Sequence, residues 1–223
     1  MQRTRCIKKL GATGANASVG LSIRLLTFKM NILSFKIKPS LESNDHQVRI
    51  LIEGEDWLRD DYLGIDPPRF FAQDNLLSGD LLIGRCNCGV EGCGDLIVNV
   101  QTDNNKVIWV NRDGLNLQFD KSDYINVIDK SKTDFGWEDI NRRVERLISD
   151  LFIDTKTNDG LTFDWASCRI ENKRVCLSYG KKGLPKEFKQ EILKFDWNGK
   201  SDNDAISKAK KFLQTNSRIK KDT

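Results

Sequence analysis

The chain has 223 residues but only one histidine, His46, and two methionines, Met1 and Met30. Any Ser-His-Asp or Cys-His catalytic arrangement must therefore run through His46, which sits among polar turn formers and reads as an exposed loop side chain. The sequence has no G-x-x-x-x-G-K-[ST], no G-x-G-x-x-G after a strand and no H-E-x-x-H. Phosphate-loop, dinucleotide-binding and common zinc-protease readings fail on those absences. No stretch approaches the roughly 18 to 20 apolar residues of a membrane-spanning helix, so no membrane partner is expected. Repeats and low-complexity segments are also lacking.

Acidic residues are missing from the first 29 positions, which hold Arg3, Arg5, Lys8, Lys9, Arg24 and Lys29. Subtracting those six charges from the formal +4 leaves −2 for residues 30–223. A nearly neutral body does not support a basic nucleic-acid footprint, and Lys208, Lys210, Lys211, Lys220 and Lys221 read as a solvated face. The acid-poor start is compatible with a transit peptide, but Arg24 interrupts "ASVGLSIRLL" and argues against a secretory signal. An alternating run, "NILSFKIK", begins directly after Met30. Met30 is therefore read as the natural start, with residues 1–29 an extension outside the fold.

With 39% hydrophobic and 30% charged residues, the composition is that of a soluble globular protein with one main domain. Residues 31–38 and 47–53 read as a hairpin turning at Ser43, Asn44 and Asp45. The segment 54–80 is punctuated by Gly54, Gly64, Pro67, Pro68 and Gly79, with room for one helical turn near Trp57 to Tyr62. Strands are expected at 80–86, 95–102 and 106–112 as a meander. Between Ser122 and Phe152 the period lengthens, with Ile140, Val144, Leu147, Ile148 and Leu151 at helical spacing and Asp139, Arg142, Arg143, Glu145 and Arg146 on the opposite side. Further strands are expected at 162–170, 174–179 and 190–197. A terminal helix follows, with Ser201 and Asp204 at capping-box spacing, and then a frayed tail. The whole reads as an α+β fold of antiparallel sheet with one or two packed amphipathic helices. A strand-rich region, 30–153, precedes a meander with a helix, 154–223; the two form subdomains or one continuous domain.

The densest chemical signal is "GRCNCGVEGCGD", residues 84–95, with Cys86, Cys88 and Cys93 in eight positions. Without a secretory signal a reducing compartment is expected, so free thiols or thiolate ligands are favoured over a disulfide framework. Three thiolates can fill three corners of a tetrahedral zinc site, with His46, Cys168, Cys176, Asp95 or water as the fourth. Two alternatives stay open: reduced thiols in a turn shaped by Gly89, Gly92 and Gly94, and a redox centre. Cys168 and Cys176 fall in a hairpin whose loop length puts them either on opposite faces, as core residues, or side by side. Asp56, Asp60, Asp61 and Asp66 read as a solvated acidic loop, with cation binding or acid/base work the other options. The five tryptophans read as core or interface anchors.

"CNCGVEGCGDLIVNV" followed by "KVIWVNR", and later "FDWASCRI" with "DAISKAKKFLQ", resembles a group of uncharacterised bacterial proteins with a C-x-C-G-x-x-G-C motif before a strand. The resemblance covers most of the chain from about Met30. It implies a bacterial, cytoplasmic setting and brings no activity with it. The expectation is a noncatalytic module that binds another protein, of an accessory or immunity-like kind, with zinc at Cys86, Cys88 and Cys93. The alternative is a thiol-dependent redox enzyme or sensor using the same cysteines. Deleting residues 1–29 removes six basic charges and no periodic core element, so a thermal melt of the truncated protein should superimpose closely on that of the full chain.

Overall fold

A computed structural model describes residues 29–40, 45–88, 92–181 and 189–221. The expectations for residues 1–28, for Ser43 and Asn44 in the first turn, and for Gly89 lie outside the described residues. Thirteen strands and four α-helices are present among the described residues, and every strand pair is antiparallel. The α+β expectation holds.

Strands β1 (Leu33–Pro39) and β2 (His46–Ile52) form the expected hairpin, in register from Leu33↔Ile52 to Pro39↔His46. Alternation explains the pairing, since Val48, Ile50 and Ile52 are buried. Glu53 and Gly54 then adopt positive φ angles of 54° and 83°. That left-handed pair makes a two-residue turn into β3 (Glu55–Asp56), with Ile52 opposite Glu55. The helical turn expected near Trp57 to Tyr62 does not form. Asp56 accepts from the Leu58 amide at 3.2 Å, and Arg59 has φ 48°, so the chain turns into β4 (Tyr62–Leu63). Helix starts instead at Pro67, where two prolines occupy the first helical positions of α1 (Pro67–Phe71).

A 3-10 turn, Asp74–Leu76, leads to β5 (Gly79–Cys86), β6 (Leu96–Thr102), β7 (Lys106–Val110) and β8 (Asn116–Asp120), in the order β4-β5-β6-β7-β8. Two links join this sheet to the first one, at opposite edges. The Val48 amide donates to the Ile65 carbonyl at 2.8 Å, and the Asn31 amide donates to the Gln118 carbonyl at 2.6 Å. Gly64 permits the first link, because a Cβ there would lie 2.3 Å from the Val48 carbonyl oxygen. The strands therefore surround one core, which runs from Leu33 to Ile128. Inside it, the Trp109 indole donates to the Tyr124 hydroxyl at 3.0 Å, which donates to the Leu76 carbonyl at 2.9 Å. Tyr124 arrives on α2 (Lys121–Thr133), which falls within the stretch of lengthened period but is a helix separate from the one expected around 140–151; Asp120 caps it by accepting from the Asp123 amide.

The expected amphipathic helix is α3 (Ile140–Phe152), capped by Asp139, which accepts from the Arg142 amide at 2.8 Å. Its apolar stripe joins a second core running from Val144 to Ile219. Around that core lie β9 (Thr155–Thr157), β10 (Thr162–Ser167), β11 (Arg174–Lys181), β12 (Lys189–Asp196), α4 (Asp202–Thr215) and β13 (Ile219–Lys221). Their sheet order is β12-β11-β10-β9-β13. The tail expected to fray is instead β13, paired with β9 and anchored by buried Ile219. Ser201 caps α4 as expected, accepting from the Asp204 amide, but Asp204 reaches back to the Asn198 amide at 2.8 Å.

The polar side of α3 does not face water throughout. Arg142 and Glu145 are each only 5% exposed, and they pair at 3.2 Å. Glu145 also accepts from Arg169 Nε at 2.9 Å, from the Ser167 hydroxyl at 2.9 Å and from the Cys168 amide at 2.8 Å. Both arginines then reach into the first half: Arg142 to Asp66 at 2.8 and 2.9 Å, and Arg169 to Asp45. Burial pushes the Asp66 carboxyl above its ordinary range, against the opposing pull of Arg142. Removing Glu145 would leave two guanidiniums without their central anion. Glu145→Ala should therefore cost about 3–5 kcal/mol in denaturant unfolding. Arg174→Ala deletes only exposed pairs, to Glu171 and Asp196, and should leave the unfolding midpoint almost unmoved.

Candidate metal centre

The three clustered thiols sit where β5 changes partners. As far as Gly84 the strand pairs with β6, with a bulge between Leu82 and Gly84; beyond it, Cys86 lies opposite Tyr62 of β4. Bulges bend a strand and re-aim the residues beyond them, and here the bend carries Cys86 out of the β5–β6 ladder. Asn87 fixes the next step by donating to the Asp60 carbonyl at 2.8 Å. On the returning side, Gly92 has φ +79° and donates its amide to Asp95 Oδ2 at 3.0 Å. Gly94 is required for a different reason, since a Cβ there would sit 3.2 Å from the Cys86 Cβ. The expectation that glycines shape this turn through positive φ thus holds at Gly92, and at Gly94 close approach replaces it.

This path brings the sulfurs of Cys86, Cys88 and Cys93 within 4.8 Å of one another, with Cys86 half-buried and the other two exposed. The group can hold a metal ion. No other histidine, cysteine or acid joins it among the described residues. Cys168 is buried in the second core; Cys176 is buried on β11, and both are free thiols. Ser167 pairs with Cys176, so the strand register puts Cys168 and Cys176 on opposite faces and not side by side. Burial pushes the Cys168 thiol up to about 12 and also raises Cys176, which fits inert packing residues.

Asp95 and His46 are the remaining sequence candidates for a fourth ligand. Asp95 spends Oδ2 on the Gly92 amide while its Oδ1 is buried without a partner. His46 is not a loop residue: it opens β2 and packs against Trp137, with ring centroids 5.0 Å apart and planes tilted by 53°. It shares a cavity of about 310 Å³ with Cys88, Arg85 and Asn87, and its Nδ1 is buried without a partner. Neither residue belongs to the sulfur group. The acidic loop likewise does not converge, because Asp56 forks to Arg49 at 2.9 and 3.0 Å while Asp66 turns to Arg142.

No family model, curated protein or solved structure matches the chain. The site is therefore read from its own chemistry.

Hydrogen bonds with Cys88 and then Cys86 hold the Cys93 proton, and push that thiol up to about 11. Three thiols crowd one another unless a cation takes the place of their protons. Binding a metal at neutral pH must therefore displace at least the Cys93 proton. Affinity for a thiophilic metal should fall as pH drops, by about tenfold per pH unit for each proton released. Competition with a chromophoric chelator between pH 8 and pH 6 measures that slope; a flat profile is the contrary result.

The residues that sequence reading did not single out are Arg142, Glu145 and Arg169 as a bridge between halves, and Trp137 as the ring against which His46 packs. An Arg-x-x-Glu pair on a helix gives no signal of burial, because the same spacing is common on solvated faces.

Proposed function

We propose that this chain is a noncatalytic protein-binding module, of an accessory or immunity-like kind, with its β5–β6 hairpin tip pinned by a zinc ion on Cys86, Cys88 and Cys93. The carrying observation is the approach of the three sulfurs within 4.8 Å. Thiolates about 2.3 Å from a tetrahedral zinc lie roughly 3.8 Å apart, so the loop needs only a small contraction to accept the ion. Water or a group from outside the chain completes the tetrahedron on the exposed side.

Several engagements support a binding role over catalysis. His46 packs against Trp137 and lies outside the sulfur group, so no Cys-His pair forms with the clustered thiols. Asp56 and Asp66 neutralise arginines and do not face one another. The raised Cys93 thiol is a poor nucleophile at neutral pH. No helix among the described residues is long and apolar enough to cross a membrane. A bacterial cytoplasmic setting, suggested by the resemblance of the C-x-C-G-x-x-G-C motif, is reducing and would keep the thiols available for metal. Exposure of Cys88 and Cys93 favours one second reading, a thiol redox sensor that closes a disulfide between clustered cysteines.

Metal analysis of reduced protein should return about one equivalent of zinc per chain. Cys86→Ser, Cys88→Ser and Cys93→Ser should each lower that content, and a chelator should expose residues 86–95 to proteolysis. Metal-free protein with an intact hairpin and one rapidly alkylated thiol would favour the redox reading instead.

A further inference from the structure

A groove of about 720 Å³ runs between the two halves, bounded by α1, the end of α2, α3 and β10. Its wall along α3 extends from Arg142 to Ile153. A helical rise of ~1.5 Å per residue makes that wall about 16 Å long. A trough of this length accommodates about five residues of extended chain at ~3.3 Å per residue.

The lining has two chemical characters. Apolar surface comes from Phe71, Phe135, Trp137, Ile153 and Trp165. Ile153 is 65% exposed and Phe135 43% exposed, and the groove brings these two exposed apolar side chains together with Trp165. A bulge between Phe163 and Trp165 lets Phe163 pair with Tyr179 over the core while Trp165 takes the place opposite Ser178. The charges beneath are already matched: Arg142 with Asp66 and Glu145, Arg169 with Glu145, and Arg146 with Glu138 at 2.8 Å. Three lining acids remain outside those pairs, Asp134, Asp150 and Asp164, all exposed, although Asp150 lies one helical turn from Arg146 and shares its field. Lys132 is the one lining base outside the pairs among the described residues. The rim is thus acidic over an aromatic floor.

We infer that this groove docks an extended peptide segment of another protein, about five residues long, with lysine or arginine placed next to apolar side chains. This inference rests on the protein-binding reading and names its surface and the chemistry of the partner. The apolar side chains would cover Trp165, Phe135 and Ile153, and the basic groups would meet Asp150 and Asp164. Charge selects the segment and apolar burial supplies the affinity, the usual division at an interface.

The probe is a random heptapeptide library displayed on phage, panned against the whole reduced protein. The expected result is enrichment of sequences that alternate basic and apolar residues. A synthetic peptide of the enriched sequence should bind the D150K/D164K variant about tenfold more weakly, with the difference shrinking as ionic strength rises. Both substituted positions are exposed, so the variant should melt with the parent; Ile153→Ser, also at an exposed position, provides a second, uncharged disruption. Enrichment of neutral or acidic peptides, or of basic peptides whose affinity survives both variants, overturns the groove while leaving a protein-binding module. Failure to enrich any peptide overturns the groove and leaves the binding reading standing, since a folded partner presents no linear segment to select.

Discussion

Glu145 is the anion on which the arrangement of the two halves depends. It stands between Arg142 and Arg169, and each arginine continues to an aspartate of the first half. Apolar burial alone would let the two cores form separately, since one is complete by Ile128 and the other begins at Val144. Hydrophobic contact is nondirectional and tolerates sliding. A chain of five charged groups with fixed hydrogen-bond geometry does not, because any slip strands a buried charge. The network fixes orientation more than it adds stability, as well-packed apolar replacements of buried ion pairs are often equally stable. The same argument explains why α3 can serve two surfaces: its aliphatic stripe belongs to the second core, while the stripe through Arg142 and Glu145 ties that core to the first.

The cysteine cluster depends on a different and much more local constraint. Its three sulfurs come from one loop, and the loop is shaped by a strand exchange at Gly84, a left-handed turn at Gly92 and a close approach at Gly94. An ion bound there would order the hairpin tip directly. It would not cross-link the halves, which the arginine network already joins. Site and scaffold can therefore respond separately to pH and to oxidation.

Much of the architecture was legible because burial follows period. Leu193, Phe195 and Trp197 are buried as their alternation predicts, and the hairpin strands, α3 and α4 follow from spacing alone. Elements with weak patterns were not legible. Tyr124, Val127 and Ile128 give the thirteen residues of α2 only one turn of apolar stripe; β13 rests on one buried residue, Ile219, and β3 and β4 are two residues each. Such segments take their conformation from neighbours already in place. The Cys86, Cys88 and Cys93 cluster could be read from its density, whereas the fourth-ligand candidates could not be sorted, since distance in space separates Cys168 and Cys176 from the loop. The fate of Arg142 and Glu145 was invisible for the same reason: a polar helix face reads as solvated until a second layer is known to cover it.

The two halves treat their sheet margins unequally. In the first, single backbone hydrogen bonds, Val48–Ile65 and Asn31–Gln118, join one sheet to the other at both sides. In the second, β12 and β13 are outer strands, and both are studded with charge: Lys189, Glu191, Lys194 and Asp196 on one, Lys220 and Lys221 on the other. Charged margins resist strand addition from a neighbouring molecule. Were those charges neutralised, β12 and β13 would be open to sheet extension by a second copy, so the C-terminal half carries its protection against self-association in its side chains.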